Sequence, residues 1–180
     1  MSKRIVLILS ICVIALSCVY AGSSDKGVID VSLSTSSYQM IVVDKDIYRA
    51  TSGLAASVGY MNNVWKGLSV GAALEWSNYK QEKLVPYGSF NNIAVLARCS
   101  YKIGLSEKVF ADAGLGLGYE FSIVGKDNTF HSFVAELNGG FGIIIDDVFS
   151  LLAGAKAKAV IQKTTHIYSV LPYIGAGISL

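Results

Sequence analysis

The chain has 180 residues, of which 52% are hydrophobic and only 16% charged, and its mean hydropathy is +0.49. A soluble domain carries about 25% charged residues, so this surface is not made for water, and a formal net charge of +2 provides no basic field for nucleic acid. Beyond the N-terminal segment no stretch reaches the ~18 continuous apolar residues of a membrane helix.

The chain opens with Lys3 and Arg4, a short apolar core over residues 5–16, and a small-residue segment ending Val19-Tyr20-Ala21. That order reads as a secretory signal peptide over residues 1–21, cut after Ala21, with the functional chain over residues 22–180. A retained anchor helix would need a longer apolar core. Removing the leader removes two bases and no acid, which brings the net charge to zero. Cys12 and Cys18 leave with it, so Cys99 has no partner for an intramolecular disulfide. A lipid-modified Cys18 would need a lipobox before it, and Ala15-Leu16-Ser17 is offset by one position.

After the polar residues 22–26, the first predicted strand covers 27–37, where Ile29, Val31 and Leu33 alternate with Asp30, Ser32 and Ser34. The chain turns at Asp44-Lys45-Asp46 and returns over 48–61, with Tyr48, Leu54, Ala56, Val58 and Tyr60 opposed to Arg49, Gly53, Ser57 and Gly59. Asn62-Asn63 reads as a tight turn. A third strand, 67–79, sets Val70, Leu74 and Trp76 against Ser69, Gly71 and Glu75, before a loop with Pro86 and Gly88. A fourth, 91–103, sets Ile93, Val95 and Cys99 against Asn92, Arg98 and Lys102. The fifth, 109–123, alternates without a break, Leu115, Leu117, Tyr119 and Phe121 against Asp112, Gly116, Gly118 and Glu120. Strands over 130–144, 149–161 and 167–180 follow the same rule, with Glu136, Lys156 and Lys158 on their polar faces. Pro172 falls in the last of them, where its missing N–H predicts a bulge or kink.

Period-two alternation places successive side chains on opposite faces. Each run meets the ~9–11 residues of a tilted membrane strand, and strands in lipid must close into a barrel. Eight such runs predict an all-β fold, an eight-stranded antiparallel up-and-down transmembrane β-barrel. The segment ends SVGY, RCSY and NGGF and the chain end recur 41, 40 and 39 residues apart, one hairpin per repeat. Tyr60, Trp65, Tyr101, Phe110, Phe141 and Phe149 fall at one end of the strands, and Tyr48, Trp76, Tyr119, Phe121, Phe133 and Tyr168 at the other. Two aromatic belts suit lipid–water interfaces. A soluble lipocalin-like barrel would need a densely charged outer face, whereas this polar face is mostly Gly, Ser and Ala.

With the apolar face in lipid, ten charges point inward: Asp30, Glu75, Asp112, Glu120 and Glu136 against Arg49, Arg98, Lys102, Lys156 and Lys158. The balance is what a low-dielectric interior requires, because an unpaired buried charge costs several kcal/mol. Counting from the short turns predicts pairs of Glu136 with Lys156 and Lys158, and of Arg98 with Glu75 and Asp112. The inward glycines leave room for long neighbours or, alternatively, for a narrow passage.

These features together resemble the small eight-stranded outer-membrane proteins of Gram-negative-type bacteria, the group of the OmpA transmembrane domain, OmpX and OmpW. The resemblance spans the mature chain and rests on architecture rather than on a motif. It implies insertion into the outer membrane by the barrel-assembly machinery with periplasmic chaperones. The group usually ends in an aromatic residue, where this chain has Leu180. No wall-tethering domain is expected after the barrel.

Some eight-stranded barrels modify lipid A with a His-x-Ser pair on one face. Here His131 and Ser132 are adjacent, so they fall on opposite faces, and His166 with Ser169 has the wrong parity too. No enzyme, cofactor or metal site is expected. The apolar run Met40, Ile41, Val42 and Val43 in the first outer loop is either an upward extension of the first hairpin or, on the OmpW resemblance, a lip for small hydrophobic molecules. Two functions remain: a monomeric structural or surface-interaction protein facing a host surface, and a narrow channel for ions or small hydrophobic solutes.

Overall fold

The computed structural model describes residues 27–36, 38–43, 46–49, 53–80, 89–124, 128–162 and 165–180. The leader, and with it the cleavage site and Cys18, lies outside the described residues, as do Asp44, Lys45, Pro86 and Gly88. The described residues form ten strands: β1 (Gly27–Thr35), β2 (Tyr38–Val43), β3 (Asp46–Arg49), β4 (Leu54–Trp65), β5 (Leu68–Lys80), β6 (Ser89–Gly104), β7 (Val109–Val124), β8 (Asn128–Ile144), β9 (Phe149–Ile161) and β10 (Thr165–Ser179). Eight of them close an antiparallel ring in the order β1-β4-β5-β6-β7-β8-β9-β10, sealed by β1 against β10, and β2 and β3 continue that sheet upward from β10.

Closure is staggered. A row of paired residues starts at Val28 and passes Met61, Gly71, Arg98, Gly116, Glu136, Lys158 and Ser169. It reaches Gln39 on β2, eleven residues above its start. Stagger of this kind tilts strands by about 35–45° and sets barrel width, so an eight-stranded ring encloses a lumen that side chains can fill.

Leu33, Leu54, Leu74, Trp76, Leu117, Leu137, Phe141 and Ile174 are exposed on the outer wall. Ser32, Ser57, Glu75, Asp112, Glu120, Ser132, Glu136, Lys156 and Lys158 line the inside. The outer face is therefore apolar and the inner face polar, as in a barrel whose solvent is lipid. Trp65, Tyr101 and Phe141 are exposed at the turn end, and Trp76, Phe133 and Tyr168 toward the loop end. Two residues leave the expected belts: Phe110 is buried inside, filling the space beside Gly142, and Tyr48 packs onto the interior cluster.

The first hairpin departs most from the sequence reading. Three residues separate Ser34 from Tyr38, while two separate their partners Tyr173 and Val170 on β10. The extra residue is a bulge, and one residue of slip exchanges the faces of everything beyond it. Below it Ser34 is buried; above it Gln39 and Ile41 are. The return leg flips likewise between β3 and β4, so Tyr48 turns inward and Arg49 is exposed outside. Pro172 accounts for where this happens. Its ladder with β9 runs unbroken through Ala155, and the interruption falls on its other neighbour, β1–β2, rather than within β10.

The expected turn at Asn62-Asn63 also moves. Both residues lie within β4, the register shifts between Asn63 and Trp65, and the turn comes at Lys66-Gly67. Gly67 has φ of 86°, a left-handed conformation that glycine adopts without strain, and its carbonyl accepts a 2.9 Å bond from the Lys102 N–H.

Candidate functional site in the barrel lumen

The lumen is built in three parts. At its centre Lys158 Nζ lies 2.8 Å from Glu75 Oε1 and 2.7 Å from Glu120 Oε2. Lys156 Nζ lies 3.4 Å from the other Glu75 oxygen, and its ammonium also approaches the hydroxyls of Ser32 and Ser57 at 3.3 Å. Glu75 sits on β5 and both lysines on β9, four strands away in a ring of eight, so these bridges cross the lumen's diameter. Arg98 on β6 meets Glu136 at 3.1 Å, Glu75 at 3.7 Å and Asp30 at 3.9 Å. In a low dielectric a shared network of this kind costs less than separate charges, because Glu75, Arg98 and Lys158 each face more than one ion of opposite sign.

Beside the charges runs an apolar cluster, with Ala94 in register with both Glu75 and Glu120: Leu96, Val134, Val160, Ala94, Ile41 and Ile167, with Val43 and Tyr48 packed against it. Leu96 and Val134 are 0% exposed. Toward the turn end a polar cavity of about 90 Å³ remains, bordered by Asp30, Arg98, Lys102, Asp112, Asn138 and Tyr173. By the volume of a liquid water molecule, about 30 Å³, it has room for about three. Two buried carboxylate oxygens that border it, Asp112 Oδ1 and Glu136 Oε2, accept no hydrogen bond from any described protein group.

The inward glycines make room for long neighbours. A Cβ at Gly140 would press on the Tyr173 hydroxyl, one at Gly154 on its ring, and one at Gly114 on the Asn138 amide. Tyr173 in turn lies under Lys156, whose Nζ is 5.4 Å from the ring centroid.

Of the ten charges expected inside, nine line the lumen and Arg49 does not. Of the pairs counted along the chain Arg98 with Glu75 forms, at 3.7 Å, and the others give way to different partners. Glu136 is the register partner of Lys158, yet its carboxylate meets Arg98. Asp112 accepts a 3.3 Å bond from the Asn138 amide rather than pairing with Arg98, and faces Lys102 in register. Lys102 rests 5.0 Å from the Phe110 ring centroid. The run from Met40 to Val43 is not a loop but the strand β2, paired to β10 and β3; Ile41 and Val43 contribute to the interior cluster. Tyr79, Ser77 and Asn92 form a further buried polar layer, with Ser77 Oγ 2.8 Å from the Tyr79 hydroxyl, that no charge pattern marked in the sequence.

His131 and Ser132 point to opposite faces. His131 sits outside against Tyr119 and Phe121, with centroids 6.0 and 5.3 Å away, and Ser132 Oγ accepts a 2.6 Å bond from Gln162 inside.

No protein-family model matches the chain, and no curated protein sequence does. Solved structures do. Neisserial surface protein A superposes with a TM-score of 0.64 at 16% identity, over 86% of this chain and 97% of that one. The fold is that of the small eight-stranded outer-membrane barrels. Ail, the attachment invasion locus protein of Yersinia pestis, in complex with the heparin analogue sucrose octasulfate, matches at 0.54 with 14% identity, over 86% and 99%. The outer membrane protein OprG of Pseudomonas aeruginosa matches at 0.50 with 11% identity, over 88% and 97%. At these identities the likeness is one of fold.

Proposed function

We propose that the chain is an integral, monomeric, non-enzymatic barrel of a bacterial outer membrane, exported through its leader and inserted by the barrel-assembly machinery. Its barrel is a closed anchor that holds loops at the cell surface. The observation that carries this is the filled lumen. The cross-lumen Glu75–Lys158–Glu120 bridge shares the lumen with buried Ala94, Leu96, Val134 and Val160, so that the described side chains fill it. The apolar outer wall with aromatic residues toward both ends supports the membrane placement. Its partners on this reading are outer-membrane lipid and a molecule of the host or environment met by the loops, with no nucleic acid.

The test is conductance. The protein is purified from membranes, its folding is verified by a heat-dependent electrophoretic shift, and it is added to a planar bilayer. A folded protein that passes no current supports the anchor. Steady unitary steps would overturn it in favour of a narrow channel for ions or small hydrophobic solutes.

A further inference from the structure

We propose that Arg49 is a lipid-phosphate ligand, holding the phosphorylated headgroup of an outer-leaflet lipid against the barrel's upper rim. This rests on the outer-membrane reading above and adds a specific site to it. Among the described side chains of the ten strands, Arg49 is the one charged group on the outward face. It reaches that face because the paired flips of the first hairpin put Tyr48 inside and its neighbour outside. No carboxylate among the described residues forms an ion pair with it.

Its surroundings say what it meets. Arg49 stands opposite Met40 in register, and Met40 stands opposite Tyr168 on β10. Ile47, two residues before Arg49 on the same face, is exposed. Down the outer face of β10 the side chains become purely apolar, through Val170 to Ile174, both exposed. Arg49 is therefore a cation at the top of an apolar wall, next to an aromatic residue of the upper belt. An arginine on the lipid face is costly at the bilayer midplane and nearly free at the interface. At the interface the abundant anion is the phosphate of the headgroup, whose oxygens match the planar guanidinium fork bidentately. Acyl chains of the same lipid then lie along Tyr168 and Val170.

The protein purified from membranes is held in a maltoside detergent, which carries no phosphate, and titrated with bis-phosphorylated lipid A, with dephosphorylated lipid A, and with inorganic phosphate. Bound lipid is counted by native mass spectrometry. The wild type is expected to retain the phosphorylated lipid about tenfold better than the dephosphorylated one, the ratio set by one charge-assisted bidentate contact. Arg49→Gln should lose that preference and Arg49→Lys keep part of it. Equal retention by Arg49→Gln, or no preference for the phosphorylated lipid, overturns the assignment. Displacement of the lipid by equimolar inorganic phosphate would overturn the lipid as occupant. Both variants should show the wild-type heat-dependent shift; a wild type that never folds in lipid would defeat the membrane reading itself.

Discussion

Replacing Lys158 by Met removes the cation that the buried carboxylates Glu75 and Glu120 share. Lys158 is 3% exposed, Glu75 2% and Glu120 0%. Without it Glu75 keeps Lys156 at 3.4 Å and Arg98 at 3.7 Å, whereas Glu120 keeps no cation within bridging distance among the described residues. Its remaining contact is a long 3.5 Å bond from the Ser122 hydroxyl. A charge pair about 4 Å apart at an effective dielectric near 20 interacts by about 4 kcal/mol. Relief of the lysine's own desolvation offsets part of that. Deleting one partner of a buried pair leaves a net loss of about 3–5 kcal/mol. Glu120→Gln combined with Lys158→Met removes the stranded charge, and should recover about 1–3 kcal/mol relative to the sum of the single changes. Urea unfolding from phosphatidylcholine vesicles, followed by the fluorescence of Trp65 and Trp76 and by electrophoretic shift, measures each difference. A loss below about 1 kcal/mol for Lys158→Met, or strict additivity in the double variant, would refute the reasoning.

Cys99 lies on the outward face of β6, between Val70 and Leu115 in register. A membrane-impermeant maleimide should leave it unmodified in vesicles and label it after urea unfolding, with peptide mass spectrometry locating the adduct; labelling of the folded protein would place it away from lipid. Gly154→Val should cost about 1–3 kcal/mol in the same unfolding assay, because a Cβ there meets the Gly139 carbonyl and the Tyr173 ring. Gly104→Val is the control, since a Cβ at Gly104 has nothing within 4 Å. Equal effects would remove the packing role assigned to Gly154.

The strands and their faces were legible because alternation is a local property: one residue in, the next out, for as long as the register holds. That is why 109–123 and 149–161 read correctly from residues alone, and why Glu75, Glu120, Glu136, Lys156 and Lys158 could be assigned to the lumen. The reading fails at Arg49 and Tyr48. A single inserted residue near Ser36 reverses every face beyond it, and nothing in Ser34-Thr35-Ser36-Ser37 marks the insertion. Its cause stands on β10, where Pro172 cannot donate to the neighbouring ladder, so only pairing across more than a hundred residues reveals it.

The ion pairs belong to the same class. Depth counted from the turns made Glu136 a neighbour of Lys158, and the register agrees. Side chains in a narrow lumen reach across it, however, and the closure of the ring decides which ones meet. Glu75 reaches two lysines on the opposite wall, and Arg98 reaches Glu136, Glu75 and Asp30 on three different strands. By itself, then, the sequence determined that the chain forms alternating strands with an apolar and a polar face, because that information lies in adjacent residues. Only the tertiary structure decided the bulge, the lumen's pairings and the outward turn of Arg49, because each depends on how the first and last strands meet.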